Sequence, residues 1–139
     1  MTPSSALRIG LVQCQPRKAQ VQENLGRVVE RIEALAPEHD LLVFPETVLS
    51  GYFRQGGVSE VALTPQEVAR GLGKPPAGAP DVVLGFYERW RRRLYNSAVW
   101  LTPVEDRWEV LHVHRKMFLP TYGVFDEARF VEAGHTVEA

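Results

Sequence analysis

Glu46 ends the run Asp40-Leu-Leu-Val-Phe-Pro-Glu46 and is the first residue of this sequence whose place suggests chemistry. Nearly continuous hydrophobicity of that length reads as a strand covered on both faces, and open α/β sheets bind their ligands at the carboxyl ends of such strands. Next to Phe44 and Pro45 the carboxylate is expected to be partly desolvated, which raises its proton affinity and suits it to general-base work. Lys116 closes another run, Val110-Leu-His-Val-His-Arg-Lys116, just before the turn-forming Met-Phe-Leu-Pro120. A cation at that rim can stabilise negative charge on a carbonyl oxygen during acyl transfer. Asp126 and Glu127 add a carboxylate pair within reach of the same chemistry, either of which could orient a base or a lysine. Taken singly, each has a plainer reading: a strand-end acid entering solvent, a surface lysine, a solvated pair.

The elements that must carry these groups follow from periodicity. Arg8 to Gln15, with Ile9, Leu11 and Val12 ahead of Pro16, reads as a first strand. From Ala19 the spacing changes to three and four: Val21, Leu25, Val28, Val29, Ile32 and Leu35 predict an amphipathic helix that Pro37 stops. The strand through Asp40–Glu46 follows, and strand, helix, strand implies layered α/β packing. Between Glu46 and Ala62 the glycines and aromatics, Tyr52 and Phe53 among them, suggest a long functional loop. Thr64 and Pro65 open a short helix through about Leu72, which the Gly73–Pro80 connector breaks. Strands are expected at 81–88, 95–102 and 108–115, giving a sheet of about five. The last stretch, 116–139, is irregular but holds Phe118, Leu119, Tyr122, Val124, Phe125 and Phe130, too apolar for a solvated tail. No closing element follows Val137, so an incomplete domain is expected.

Composition narrows the classes. With 139 residues, 45% hydrophobic, the chain suits one ordinary domain and not a disordered tail. Sixteen Lys and Arg against 17 Asp and Glu leave a formal net charge of -1, which provides no field for nucleic acid or anionic lipid. No run approaches the roughly 20 apolar residues of a spanning helix, and the first residues lack the pattern of a signal peptide, so a cytoplasmic protein is expected. One cysteine, Cys14, excludes an internal disulfide and a thiolate zinc cluster; inside the first strand it reads as a small structural hydrophobe. His112 and His114 share a strand face, but no third metal ligand stands at sensible spacing. Arg89-Trp-Arg-Arg-Arg93 mixes basic and aromatic residues yet falls between two strands, where a solvated hairpin explains it better than a nucleic-acid site.

Three strings taken together are sharper: Val43-Phe-Pro-Glu46, Tyr95-Asn-Ser-Ala98, and His114-Arg-Lys-Met-Phe-Leu-Pro-Thr-Tyr-Gly-Val-Phe-Asp-Glu-Ala-Arg-Phe130. In that order, and with the opening Ile9-Gly-Leu-Val-Gln-Cys-Gln-Pro16 and Glu23-Asn-Leu25, they resemble the nitrilase or carbon-nitrogen hydrolase superfamily across essentially the whole chain. The resemblance implies an α-β-β-α sandwich, of which these residues supply about the first half. It implies hydrolysis of a nonpeptide amide, nitrile or carbamoyl bond through a thioester on cysteine, with no cofactor and no metal. Glu46 matches the family's general base, Lys116 its oxyanion-stabilising lysine, and Glu127 the second glutamate that orients the lysine and substrate. The nucleophilic cysteine has no match here, so the chain alone is expected to be inactive. A small-molecule amide or nitrile substrate and a homodimer or higher oligomer of the complete protein are implied as well. The lysine loop is particularly like that of glutamine-amide hydrolysing domains attached to NAD synthetases, with Tyr122, Phe125 and the Tyr52-Phe53 loop as expected pocket residues. The competing readings are a non-catalytic interaction module that keeps the scaffold, and a generic small-ligand α/β domain. The second lacks any GxGxxG or P-loop pattern.

Overall fold

The computed structural model describes residues 6–53, 56–123 and 126–138. Helix α1 (Val21–Leu35) crosses between two short parallel strands, β1 (Ile9–Leu11) and β2 (Leu41–Val43). Helices α2 (Val58–Val61) and α3 (Pro65–Gly71) lead into β3 (Asp81–Trp90), parallel to β2. The antiparallel strands β4 (Arg93–Val104) and β5 (Arg107–Arg115) complete a five-stranded sheet in sequence order. This is the expected α/β class, with differences of extent: β2 covers Leu41–Val43 where a strand through Asp40–Glu46 was expected, and the first strand and the loop after Glu46 differ as well. The first strand stops at Leu11 because its partner β2 ends at Val43, so after one more bond, Val12 N–H to the Val43 carbonyl (2.9 Å), nothing remains to pair with. Cys14 therefore lies past the strand, not within it, and is partly buried. The loop after Glu46 also contains α2, entered through Gly57 at φ 88°.

Local chemistry explains the helix ends. Thr64 caps α3 with a full capping box: its hydroxyl accepts from the Glu67 N–H (3.2 Å) while the Glu67 carboxylate accepts from the Thr64 N–H (2.7 Å). Helix α1 has no side-chain cap, but buried Asn24 in its first turn accepts from the Arg17 N–H and donates to the Arg17 and Leu49 carbonyls. Between β3 and β4 the turn residues Arg91 and Arg92 both have positive φ, 46° and 64°, as a tight hairpin of the required twist demands. Arg91 stacks on Trp90 there, and Arg93 pairs with Glu132, so the arginine-rich tip is a hairpin, as expected.

The pleat decides what each strand residue meets. One row across the sheet joins Leu42, Val82, Leu101 and Val110, and the next joins Leu84, Val99 and Val113. This face carries the core, packed under Leu25, Val28 and Ile32 of α1 and Val68, Ala69 and Leu72 around α3. The opposite face starts from the row Leu11, Val43, Val83, Trp100 and His112. Leu11 is 76% exposed and Trp100 39%, so helices cover only one side.

Further along the helix-covered face the apolar rows give way to Glu88, Ser97 and Arg115. Glu88 is 1% exposed and accepts two bonds from the Arg115 guanidinium (2.8 and 2.7 Å) and one from Ser97 Oγ (2.8 Å). Arg115 in turn stacks on Trp90 and Tyr95, at 4.1 and 4.8 Å from their ring centroids. A carboxylate so deeply buried is tolerable only with this set of donors.

Two variants test this architecture. Arg115→Met strands Glu88 without its cation and is expected to cost about 3 kcal/mol in urea unfolding, as removal of one partner from a buried pair does. Gly85→Ala would put a Cβ 2.5 Å from the Thr47 nitrogen and 2.6 Å from the Glu46 Cα. Since backbone must move to admit it, a loss of about 1–3 kcal/mol is expected, with shifted amide resonances across 45–47. Wild-type stability in either variant would contradict the packing described.

Candidate active site

Glu46 is placed by an extension of the sheet beyond β2. The Phe44 N–H donates to the Val83 carbonyl (2.8 Å) and the Gly85 N–H to the Pro45 carbonyl (3.3 Å), so the chain tracks β3 two residues further. The absent side chain of Gly85 lets the backbone of 45–47 lie directly against that strand. Thr47 then turns sharply with φ 51° and is fully buried. A β-branched residue in that conformation stores strain, and its hydroxyl has no partner among the described residues. The turn is held from outside by Asn24 on the Leu49 carbonyl (3.0 Å) and by the Ala19 N–H on the Ser50 carbonyl (2.8 Å).

Lys116 follows β5 directly, with its N–H on the Asn96 carbonyl (2.8 Å). Because neighbours alternate across a strand, Arg115 faces the helices and Lys116 the open side. Its ammonium donates to Oε1 of Glu46 (2.8 Å) and to Oε2 of Glu127 (2.9 Å). Glu127 is 5% exposed and opens a single helical turn, Glu127–Arg129, anchored by its N–H on the Pro120 carbonyl. Of the acid pair in this loop, Glu127 joins the cluster, while Asp126 lies by Arg129 at 3.6 Å. The three residues singled out from sequence thus converge from the end of β2, the end of β5 and the loop beyond.

Sequence reasoning assigned no role to Asn96, which binds the cluster together. It is 2% exposed, and its amide nitrogen donates to Oε1 of Glu46 (2.6 Å) and Oε1 of Glu127 (2.9 Å). The signal was the Tyr95-Asn-Ser-Ala98 string. Tyr52, expected to line a pocket, instead presents its hydroxyl to Glu46. Tyr87, buried beneath, accepts from the Phe53 N–H (3.3 Å). Tyr122 is 73% exposed and does not line the cavity beside Lys116; Val124 and Phe125 lie outside the described residues.

The proton affinity of Glu46 differs from expectation. Burial does push it up, but hydrogen bonds from Lys116, Tyr52 and Asn96 and the lysine charge outweigh that, and the pKa falls below the ordinary carboxylate value. The number of donors decides the outcome, which Phe44 and Pro45 alone could not reveal. Lys116 is shifted up: partial burial opposes its charge, and the bonds and charges of Glu46 and Glu127 more than compensate. Burial and the neighbouring Glu46 raise Tyr52, keeping it a neutral donor.

A cavity of about 580 Å³ opens onto Glu46, Asn96 and Lys116 along the uncovered face, with Gly85, Ala98 and His114 as its floor and wall. Cys14 is not part of it. The thiol packs against the helix-side core in a separate small cleft with Arg27, Arg31, Phe44 and Val48. His112 and His114 lie on the open face, and no group of three potential metal ligands occurs among the described residues. No described helix is long and apolar enough to cross a membrane.

The shifts have a definite sign in stability. Glu46, lowered when folded, stabilises above its ordinary value of 4.5, and that contribution is lost as pH falls through the folded value. Lys116, raised, stabilises below its ordinary 10.5 and loses that contribution as pH rises through the folded value. Urea midpoints across pH should therefore decline below about 4.5 and above about 10.5, and both declines should shrink in Lys116→Met. A variant with unchanged pH dependence would show the cluster to be uncoupled from folding.

Known proteins match this chain in sequence and in fold. The carbon-nitrogen hydrolase family model matches residues 8–138. A glutamine-dependent NAD(+) synthetase of Thermotoga maritima is 35% identical over 92% of this chain and 22% of its own length. An (R)-stereoselective amidase of Pseudomonas sp. is 37% identical over 70% of this chain and 36% of its own. The glutamine-dependent NAD+ synthetase of Acinetobacter baumannii superposes with a TM-score of 0.77 at 28% identity, over 94% of this chain and 24% of that one. A CN-hydrolase superfamily protein from Xanthomonas campestris, with TM-score 0.74 at 23% identity over 94% of this chain and 47% of that one, shares the fold. The chain thus spans between 22% and 36% of the curated relatives just named. With the match running from residue 8 to residue 138, the chain belongs to the carbon-nitrogen hydrolase family.

Proposed function

We propose that these residues form the base-and-lysine half of an active site that hydrolyses a nonpeptide amide, with Glu46 as general base, Lys116 as oxyanion stabiliser and Glu127 as the lysine's fixed counter-ion. The observation that carries the reading is the Lys116 ammonium held between two carboxylates at the mouth of an open cavity. An ammonium has three N–H donors and Glu46 and Glu127 take two, which leaves one for a developing oxyanion.

In this reading a cysteine thiol gives its proton to Glu46 as sulfur attacks the amide carbonyl. The carbonyl electrons move to oxygen, where Lys116 stabilises them. Collapse expels the amine, which takes the proton from Glu46, and a thioester remains. Water then attacks the thioester, losing its proton to Glu46; collapse breaks the carbon–sulfur bond, the departing sulfur takes that proton back from Glu46, and the acid leaves with thiol and carboxylate restored. As Lys116 leans towards the oxyanion with its third donor, its bond to Glu46 lengthens and the proton affinity of Glu46 rises as it must accept. This exchange reconciles a base of low resting pKa with the demand for a proton acceptor.

Cys14, the one cysteine in the sequence, packs against the helix-side core and not in the cavity of Glu46 and Lys116. We therefore assign the nucleophile to a cysteine outside these 139 residues, which makes this chain part of a larger hydrolase domain. The matches to glutamine-dependent NAD synthetases favour a small amide such as glutamine as the substrate class.

In a protein that combines this chain with the cysteine-bearing segment, Glu46→Gln should lower kcat by about 10²–10⁴. Cys14→Ala should leave it within a few-fold. The 139-residue chain alone should not hydrolyse glutamine. Near wild-type turnover in Glu46→Gln, or amidase activity of the isolated chain that vanishes with Cys14→Ala, would overturn the assignment.

A further inference from the structure

Two carboxylates in one site ordinarily compete for a proton, and one of them then titrates well above its usual value. Here Glu46 and Glu127 share a single lysine, so the cation balances only one of the two negative charges. What faces the other is Asn96. Its amide nitrogen carries two protons and no acceptor, and it directs one to each acid, at 2.6 and 2.9 Å. Reversing the amide would set an oxygen against both carboxylates, so the network itself fixes its orientation. Burial at 2% exposure removes water as a substitute donor at this point.

Asn96 has a second hold on the cluster, because its carbonyl accepts the Lys116 N–H (2.8 Å). Its neighbour Ser97 points through the sheet to Glu88, so β4 is locked from both faces at the same step. The other titratable groups facing Glu46 are Tyr52 from the loop after β2, Tyr87 from β3, His114 across the cavity from β5, and Lys116 and Glu127 themselves. Among the described residues, Asn96 and Lys116 hydrogen-bond to both acids.

We propose that Asn96 is a positioning residue that keeps Glu46 and Glu127 simultaneously ionised, so that Lys116 remains an ammonium between them and Glu46 is ready to accept a proton. The consequence for catalysis rests on the reading of Glu46 as the base; the ionisation itself does not.

Carboxyl-carbon NMR titration of the 139-residue chain tests it without any activity. In the wild type Glu46 should titrate below the ordinary glutamate value. Asn96→Asp places a third carboxylate in the cluster and should raise one of the midpoints by about one pH unit or more. Asn96→Ala, which withdraws both donors without adding charge, should raise it by less. A merely structural asparagine would lower stability in both variants and leave the midpoints where they were. Unmoved midpoints in a folded variant, or Glu46 titrating above its ordinary value in the wild type, would overturn the proposal; the wild-type measurement can overturn it even if the variants unfold. The two readings fail separately. Active Glu46→Gln enzyme with shifted titrations removes the hydrolase reading and keeps this one, and inactive Glu46→Gln with unshifted titrations does the reverse.

Discussion

An ammonium gripped by two carboxylates draws four distant segments of this chain to one point. Lys116 and Glu46 are 70 residues apart, Glu46 and Asn96 50, and Asn96 and Glu127 31. None of these groups tolerates partial burial alone, since a charge withdrawn from water must be met by a partner of matched geometry. The surrounding structure can be understood as what is needed to deliver those partners. Gly85 admits the backbone carrying Glu46, Asn24 ties the turn behind it to α1, and the bidentate Arg115–Glu88 pair holds the strand end from which Lys116 departs.

The pleat of the sheet separates two acid–base groups that are adjacent in sequence. Arg115 and Lys116 are neighbours, as are Asn96 and Ser97, yet each member of a pair faces an opposite side. On the helix side Glu88, Ser97 and Arg115 are sealed under aromatic rings and act as structure. On the other side Glu46, Asn96 and Lys116 border a cavity with Glu127 behind them, the Glu46 side chain still 42% exposed and that of Glu127 only 6%. That difference in exposure gives the two glutamates different parts: Glu127 cannot leave the lysine without becoming a bare buried charge, whereas Glu46 can exchange partners with whatever enters the cavity.

The low proton affinity of Glu46 belongs to this resting arrangement. It reflects donors counted one by one: lysine, tyrosine and amide. A group set up in this way changes its basicity when a donor leaves, which couples its protonation to movement of Lys116.

By itself the sequence determined the α/β class, helices α1 and α3 and a sheet of about five strands, and it singled out the three charged residues that the fold brings together. Those features rest on local physics: hydrophobic period, proline and cap chemistry, and strand-end position. Only the tertiary structure decided that Asn96 bridges the acids, that Glu127 and not Asp126 joins them, that Cys14 lies outside both the first strand and the cavity, and that the pKa of Glu46 falls and does not rise. Each of these depends on what other segments bring to within about 3 Å. Local pattern can place an acid at the end of a strand, but its ionisation is settled by partners tens of residues away, and their approach is a property of the packed chain.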